Sequence, residues 1–280
     1  MKRKMCTFTM VMLLAAGAPR AQENARTISP EAQKNMEVDR LASLAGGSCT
    51  YNFASGSGAK RLGWCVSAAA NLVKFESPAS VFHLREGLRE GYALCTSSDL
   101  TGDTVVGFDN GVSSDGFDAP LLLAVSSSSV SIRRFTTDRV FQIDHTFTRD
   151  PKEMDITVNV SIMNISGGPV FGQVFYTRFA DLDVGGDGSD DIMDRSNRGV
   201  WARDLKSGVN GDGVALTATT FGTPAFSSAL LLASTGMKSC LSGSALTPLG
   251  PADTVAQINY DLGGFEPGQT KTIAFTYRRQ

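Results

Sequence analysis

Apolar and polar residues alternate with a period of two along one long segment of the chain, 155–164. Ile156, Val158, Val160 and Ile162 are separated there by single residues that are mostly polar. Successive side chains of a β-strand point to opposite faces of the sheet. The spacing therefore predicts a strand with one apolar face and one polar face.

Similar short runs recur along the chain after Cys49, separated by Gly, Ser, Asn, Asp and Pro. This punctuation is typical of a sandwich or barrel, and the lack of a regular repeat disfavours a propeller or solenoid. We predict an all-β fold, namely an antiparallel β-sandwich of ordinary or supersandwich size. The further predicted strands are 64–75, 92–96, 130–135, 139–148, 170–180, 214–219, 229–234, 255–262 and 270–277.

The residues between two of these strands have the composition of a turn. Positions 164–169 read Asn-Ile-Ser-Gly-Gly-Pro. A turn between two alternating segments favours a hairpin. We therefore predict that strands 155–164 and 170–180 pair with each other.

The first residues have the order of a secretory signal peptide. The basic residues Lys2, Arg3 and Lys4 precede an apolar run that extends from Phe8 to Ala18. That run is too short for a membrane span, which needs about 20 apolar residues. We predict a signal peptide over 1–21, no membrane span, and a protein that is secreted or periplasmic.

A helix is predicted in the next segment, 22–47. Ser29 suits the N-cap, Pro30 suits the first turn, and Glu31 suits the positive end of the helix dipole. The pair of glycines at 46–47 would end the helix. The remaining residues, 48–280, are predicted to form a single β-sandwich domain.

The charge of the exported part argues against two classes of partner. Four of the 26 basic residues lie in 1–21, which contains none of the 28 acidic residues. The exported part therefore carries six more acidic than basic residues. Nucleic acids and anionic membranes are bound mainly by clustered Lys and Arg, so we expect neither as a partner.

Four cysteines follow the predicted signal peptide: Cys49, Cys65, Cys95 and Cys240. An even number in an exported chain predicts two disulfides, and three pairings are open. A zinc site is the alternative. It is disfavoured because no Cys-x-x-Cys occurs and the spacings are irregular.

An acidic segment with several glycines is the candidate metal site. Hard oxygen ligands on such a loop suit Ca²⁺, and 185–193 fits one copy of the nonapeptide of calcium-binding β-rolls. The alternative is a solvated acidic turn that nearby arginines neutralise. The predicted calcium ligands are Asp181, Asp183, Asp187, Asp190, Asp191 and Asp194.

Sequence signatures of catalysis are largely lacking. There is no Gly-x-Ser-x-Gly, no phosphate-binding loop and no His-Glu-x-x-His. We read His145 as a packed core residue, and we name no catalytic residue. The predicted ligand contacts are Tyr176 and Arg178, which lie near one strand end, and Trp201, which could stack on a sugar ring if exposed.

Two parts of the sequence resemble a group of exported bacterial β-sandwich proteins, most of them uncharacterised. One is the strand end at Asn164, followed by small residues. The other is Arg-x-x-Asp-x-Asp, formed here by Arg178, Asp181 and Asp183. The resemblance implies a β-sandwich and an exported location, and it brings no catalytic residues with it.

These observations lead to one hypothesis and two alternatives. We predict an exported, non-enzymatic β-sandwich that binds an extracellular or envelope ligand such as a polysaccharide, with Ca²⁺ stabilising the acidic loop. The first alternative is a carbohydrate-active enzyme, either a glycoside hydrolase or a lyase, that uses paired carboxylates. The second is a structural component of the cell envelope.

Overall fold

The computed structural model describes residues 48–84, 90–98, 102–111, 114–150, 154–184, 191–204, 213–231, 240 and 254–280. The predicted signal peptide and the predicted helix in 22–47 lie outside these residues. The described part consists of antiparallel strands and one 3-10 turn, Gly58–Lys60, with no α-helix among its elements. The all-β prediction is therefore confirmed.

The strands are numbered in chain order. They are β1 (Tyr51–Ser55), β2 (Leu62–Val66), β3 (Leu72–Glu76), β4 (Phe82–Leu84), β5 (Glu90–Ser98), β6 (Gly102–Asp109), β7 (Ser114–Asp115), β8 (Leu121–Val125), β9 (Ser129–Phe135), β10 (Phe141–Arg149), β11 (Asp155–Asn164), β12 (Val170–Asp181), β13 (Asp191–Ser196), β14 (Gly199–Asp204), β15 (Gly213–Ala218), β16 (Ala225–Leu231), β17 (Thr254–Phe265) and β18 (Thr270–Arg279).

These strands form three sheets. The eight-stranded sheet has the order β13-β14-β15-β18-β11-β10-β9-β8, and the six-stranded sheet has the order β16-β17-β12-β5-β6-β7. The four-stranded sheet contains β1 to β4 in sequence order. Every pairing among them is antiparallel, and several join strands that are far apart along the chain.

The predicted hairpin between β11 and β12 is wrong. β11 pairs with β10 and β18, whereas β12 pairs with β5 and β17 in the other sheet. The intervening turn carries the chain from one sheet to the other. The Asn164 side chain holds it, because its Nδ2 donates to Gly168 O at 2.9 Å and its Oδ1 accepts from Ser166 N at 2.9 Å. Alternation identifies the faces of a strand but not its partner.

The predicted strand 64–75 is two strands, β2 and β3. The chain turns between them at 67–71. There Ser67 N donates to Asn71 O, and Ala70 N donates to Ser67 O. Ala70 has a φ of 68°, a conformation that a residue other than glycine seldom adopts. A run of alanines carries no turn signal, so the break was not predicted.

The apolar face of β11 lies in the main core. Ile156, Val158, Val160 and Ile162 are completely buried, and they join one hydrophobic cluster with side chains of all three sheets. Burial of one such side chain contributes about 1.5–3 kcal/mol. The polar face of the same strand points away from the core, as the alternation predicts.

The prediction of two disulfides is confirmed, and the structure gives their pairing. Cys49 bonds to Cys65, which ties the residues before β1 to β2. Cys95 on β5 bonds to Cys240, which lies 145 residues further along the chain.

Candidate functional site

Two of the predicted ligand contacts, Tyr176 and Arg178, point from β12 into the space between the sheets. Both are completely buried. Arg178 Nη2 lies 2.5 Å from Oε1 of Glu90, and Arg178 Nη1 donates to Ala70 O at 3.1 Å. Tyr277 on β18 also donates to Glu90. Strands of both large sheets and the 67–71 turn therefore meet at one carboxylate.

A second ion pair extends this arrangement. Arg134 Nη1 lies 3.2 Å from Asp109 Oδ2 and 3.2 Å from the Tyr92 hydroxyl. Asn71 donates to Asp109 at 2.5 Å, and Tyr92 donates to Ala69 O at 2.9 Å. We call these six residues the buried polar cluster: Glu90, Arg178, Tyr277, Arg134, Asp109 and Tyr92.

His145 lies beside the buried polar cluster and is completely buried. Its Nε2 is 3.1 Å from the Tyr176 hydroxyl, and its ring centroid is 4.4 Å from that of Tyr92. Burial, with the charges of Arg178 and Arg134, lowers the pKa of His145 well below its usual value. The prediction of a packed, hydrogen-bonded core histidine is confirmed.

Burial shifts the pKa of Glu90 in the opposite direction. It raises the pKa of Glu90 from 4.5 to about 7, although the charge of Arg178 and hydrogen bonds from Tyr277 and Leu72 N oppose the shift. Tyr176 and Arg178 are completely buried in this arrangement, Tyr176 beside His145 and Arg178 against Ala70 O of the 67–71 turn. A ligand contact at these two residues stays a prediction.

The predicted calcium ligands are distributed over two sheets. Asp181 and Asp183 are buried at and after the end of β12, and Asp183 N donates to His83 O at 3.1 Å. Asp191 begins β13, and Asp194 on the same strand lies 3.4 Å from Arg203. Asp187 and Asp190 lie outside the described residues. Within the residues that can be described, no three His, Cys, Asp or Glu side chains form a group suited to a metal, so calcium stays a prediction.

Trp201 is the predicted ligand contact that reaches the surface. It lies on β14 between Val200 and Ala202, both of which point into the core. The indole therefore points away from the core, on the outer face of the eight-stranded sheet, and it is partly exposed. A sugar contact at this ring stays a prediction.

The strand register places charged residues beside this ring. Asp194 is the cross-strand partner of Trp201 on β13, and Ala215 is its partner on β15. Arg278 stands opposite Ala215, and Asp155 stands opposite Arg278. All five residues lie in one row across the sheet.

One Arg–Asp pair lies in this row, and a second joins the row to the neighbouring Arg203. Arg278 donates to Asp155 Oδ2 from Nη2 at 2.7 Å and from Nε at 3.2 Å. Arg203, two residues after Trp201 on the same face, pairs with Asp194. We call Trp201 and these two pairs the Trp201 platform. Its Arg278–Asp155 half was not predicted, because these residues are 123 positions apart and only the register brings them together.

Comparison with known proteins shows the fold. No protein-family model matches the chain, and a search of curated proteins also finds no match. A bacterial glucoamylase, solved in complex with acarbose, is similar with a TM-score of 0.57 at 8% identity, over 84% of this chain and 33% of the glucoamylase. The chain thus spans about a third of that protein. A putative aldose 1-epimerase from Escherichia coli K12 follows with a TM-score of 0.48 at 9% identity, over 83% of this chain and 99% of the other.

The described residues contain no helix that is long and apolar enough to cross a membrane.

Proposed function

We propose that the protein is an exported β-sandwich that binds carbohydrate at the Trp201 platform, without catalysis. The observation that carries the proposal is that the partly exposed Trp201 lies in one cross-strand row with Asp194 and the Arg278–Asp155 pair. An exposed tryptophan offers a rigid apolar face with a polar edge. A sugar ring presents the complement, a face of C–H groups and a rim of hydroxyls.

The accessible members of the two ion pairs, Arg278, Arg203 and Asp194, supply groups that hydroxyls recognise, whereas the buried Asp155 holds Arg278 in place. Guanidinium groups donate several hydrogen bonds in a fixed plane, and carboxylates accept them. Neighbouring strands lie about 4.8 Å apart, so the Trp201 and Arg278 backbones are separated by roughly 10 Å across Ala215. Because Ala215 is small, the longer side chains on both sides of it can contact the same ligand.

Three further observations support this proposal. The similar glucoamylase was solved in complex with acarbose. The excess of acidic residues disfavours polyanionic partners. The only two histidines of the chain, His83 and His145, are both completely buried, which favours binding over catalysis that needs an accessible imidazole.

The test is binding of the parent protein to a panel of neutral and acidic polysaccharides, by affinity electrophoresis and calorimetry. Trp201→Ala is expected to weaken the binding by about 30-fold, the effect of losing a central aromatic contact worth about 2 kcal/mol. Phe221→Ala is the matched control, because Phe221 is an aromatic residue 90% exposed outside the platform. It should bind like the parent.

The outcomes separate the proposal from its alternatives. Failure of the parent to bind any polysaccharide, or equal binding by the Trp201→Ala variant, would overturn the proposal. Release of new sugar ends from a bound polysaccharide would instead support the carbohydrate-active enzyme.

Calcium at the acidic segment is a separate proposal. Ca²⁺ is titrated into chelator-treated protein, with Asp183→Asn as the variant and Asp138→Asn, in a surface turn, as the control. Loss of binding in Asp183→Asn alone would support it, and no heat of binding in the parent would contradict it.

A further inference from the structure

A row of hydroxyl side chains crosses the outer face of the eight-stranded sheet. The strand register aligns one residue from each of five neighbouring strands, β9, β10, β11, β18 and β15. In that order the residues are Ser129, Thr148, Thr157, Thr276 and Thr217. We call these five residues the hydroxyl row. Neighbouring strands lie about 4.8 Å apart, so the row is roughly 19 Å long.

The hydroxyl row runs beside the row that contains Trp201. Thr276 lies two residues before Arg278 on β18, so the two rows are roughly 7 Å apart. Gly199 continues the hydroxyl row on β14, opposite Thr217 and two residues before Trp201. A Cβ at Gly199 would lie 3.0 Å from Thr217 Oγ1, so the glycine leaves open the space between the indole and the row. A ligand that stacks on Trp201 can therefore continue over Gly199 onto Thr217.

The sheet itself does not satisfy the threonines of the row. Within the described part of the chain, Thr148, Thr157, Thr217 and Thr276 make no side-chain hydrogen bond to another residue. Thr276 is only 9% exposed, although it faces outward between Thr157 and Thr217. Polar groups in such confined positions usually have a hydrogen-bond partner. The row therefore offers hydroxyls to a ligand.

The next rows on the same face satisfy their polar groups internally. Ser131 Oγ lies 2.9 Å from Thr146 Oγ1. Arg133 donates to both carboxylate oxygens of Asp144 at 2.7 Å. Threonine is common on exposed strands, so its presence alone indicates no function. Four aligned threonines without partners, beside an exposed tryptophan, do indicate one.

We propose that the hydroxyl row extends the carbohydrate site, and that the ligand is a neutral, extended polysaccharide that crosses the strands from Trp201 toward β9. This inference rests on the proposed binding at the Trp201 platform. Each threonine hydroxyl donates and accepts a hydrogen bond, as a sugar hydroxyl does. No residue of the row is charged, so the row has no group that pairs with the carboxylates or sulfates of an acidic polysaccharide. A chain of repeating sugars supplies hydroxyls along the whole row.

This arrangement makes affinity depend on the length of the sugar chain. The Trp201 and Arg278 backbones are separated by roughly 10 Å, whereas Trp201 and Ser129 lie five strand spacings apart, roughly 24 Å. A short oligosaccharide covers the platform alone. A longer one also reaches the hydroxyl row and gains hydrogen bonds there.

The test is calorimetric titration with β-1,4-linked oligomers of glucose, mannose and xylose, from disaccharide to hexasaccharide. The parent is expected to bind the hexasaccharide of at least one series at least tenfold more tightly than its disaccharide. Thr148→Val combined with Thr157→Val removes two hydroxyls remote from Trp201. It should weaken hexasaccharide binding about tenfold and leave disaccharide binding unchanged.

The matched control makes the same chemical change elsewhere on this face. Thr270→Val combined with Thr272→Val alters two exposed threonines of β18 outside the hydroxyl row. It should bind every oligomer like the parent. Valine keeps the branched shape that strands favour, so both double variants should fold. The length dependence of the parent is a readout that needs no variant.

The outcomes separate the hydroxyl row from the platform. Equal affinity for disaccharide and hexasaccharide overturns the row, as does a Thr148→Val, Thr157→Val variant that binds hexasaccharide like the parent. Both results leave binding at Trp201 intact. A parent that binds no hexasaccharide also overturns the neutral, extended ligand. Binding of the polysaccharide panel by the parent and by Trp201→Ala then shows whether the platform fails as well.

Discussion

The titration of Glu90 should reverse the usual effect of acid on a carboxylate. The pKa of Glu90 is raised from 4.5 to about 7 by burial. Between these two values the folded protein holds a proton that the unfolded chain has released. The free energy of unfolding therefore falls as the pH rises through this window. The stabilisation is complete below pH 4.5 and lost above about pH 7, and it amounts to about 3 kcal/mol.

His145 has the opposite sign in an overlapping window. Its pKa is lowered well below 6.5 by burial and by the charges of Arg178 and Arg134. Below pH 6.5 His145 binds a proton in the unfolded chain but not in the folded protein. The free energy of unfolding therefore falls as the pH falls. Each group gives a slope of about 1.4 kcal/mol per pH unit. Just below pH 6.5 the two slopes oppose each other, so the free energy of unfolding of the parent should depend less on pH there than that of either variant.

Urea denaturation across this pH range separates the two groups. Glu90→Gln removes the falling slope, so the free energy of unfolding of this variant should rise with pH relative to the parent. Above about pH 7 the variant also leaves Arg178 without its carboxylate, which costs about 3–5 kcal/mol; at lower pH Glu90 is protonated in the parent as well. The slope is therefore the diagnostic quantity. His145→Phe, which keeps a ring of similar size, should show the opposite change.

Two results would refute this reasoning. Parallel pH profiles of the parent and Glu90→Gln would mean that Glu90 does not change its protonation on folding in this range. A parent whose stability falls steeply from about pH 6 to pH 5, with the slope unchanged in His145→Phe, would place the acid sensitivity elsewhere.

Two further predictions concern backbone packing and the longer disulfide. Gly91→Ala would place a Cβ 1.9 Å from Asp109 O, so β5 and β6 must separate there. We expect the free energy of unfolding, measured by urea denaturation, to fall by at least about 2 kcal/mol. Gly167→Ala should match the parent, because no neighbouring atom lies within 4 Å of the added Cβ. Replacing both Cys95 and Cys240 by alanine should cost about 2 kcal/mol more than replacing the other pair, because the cysteines are 145 rather than 16 residues apart; equal losses in thermal unfolding would contradict this.

The sequence predicted the strands better than their partners. The alternation in β10 and β11 identified both strands, because one face of each is packed on the core. The pairing of β11 with β18 joins residues more than a hundred positions apart, and no local signal specifies it. The crossing from β11 to β12 was read as a hairpin for the same reason.

Site residues were predicted where the side chain alone decides its environment. Trp201 was selected as an amphipathic ring, and it is the selected ligand contact that is partly exposed. Arg178 was predicted as a ligand contact near a strand end, whereas its side chain is completely buried. Its partner Glu90 precedes it by 88 residues, and no local pattern indicates the ion pair that allows the burial of Arg178.

The central position of β18 has a consequence for synthesis of the chain. β18 lies between β15 and β11 in the eight-stranded sheet, although it is the last strand along the described chain. Translation delivers the earlier strands first. Until residues up to Arg279 have emerged from the ribosome, the sheet can exist only as two separate parts, with β11 and β15 as unpaired edges. Completion of the sandwich must therefore follow the synthesis of its last strand, and a chaperone that shields β11 would protect the nascent protein from aggregation.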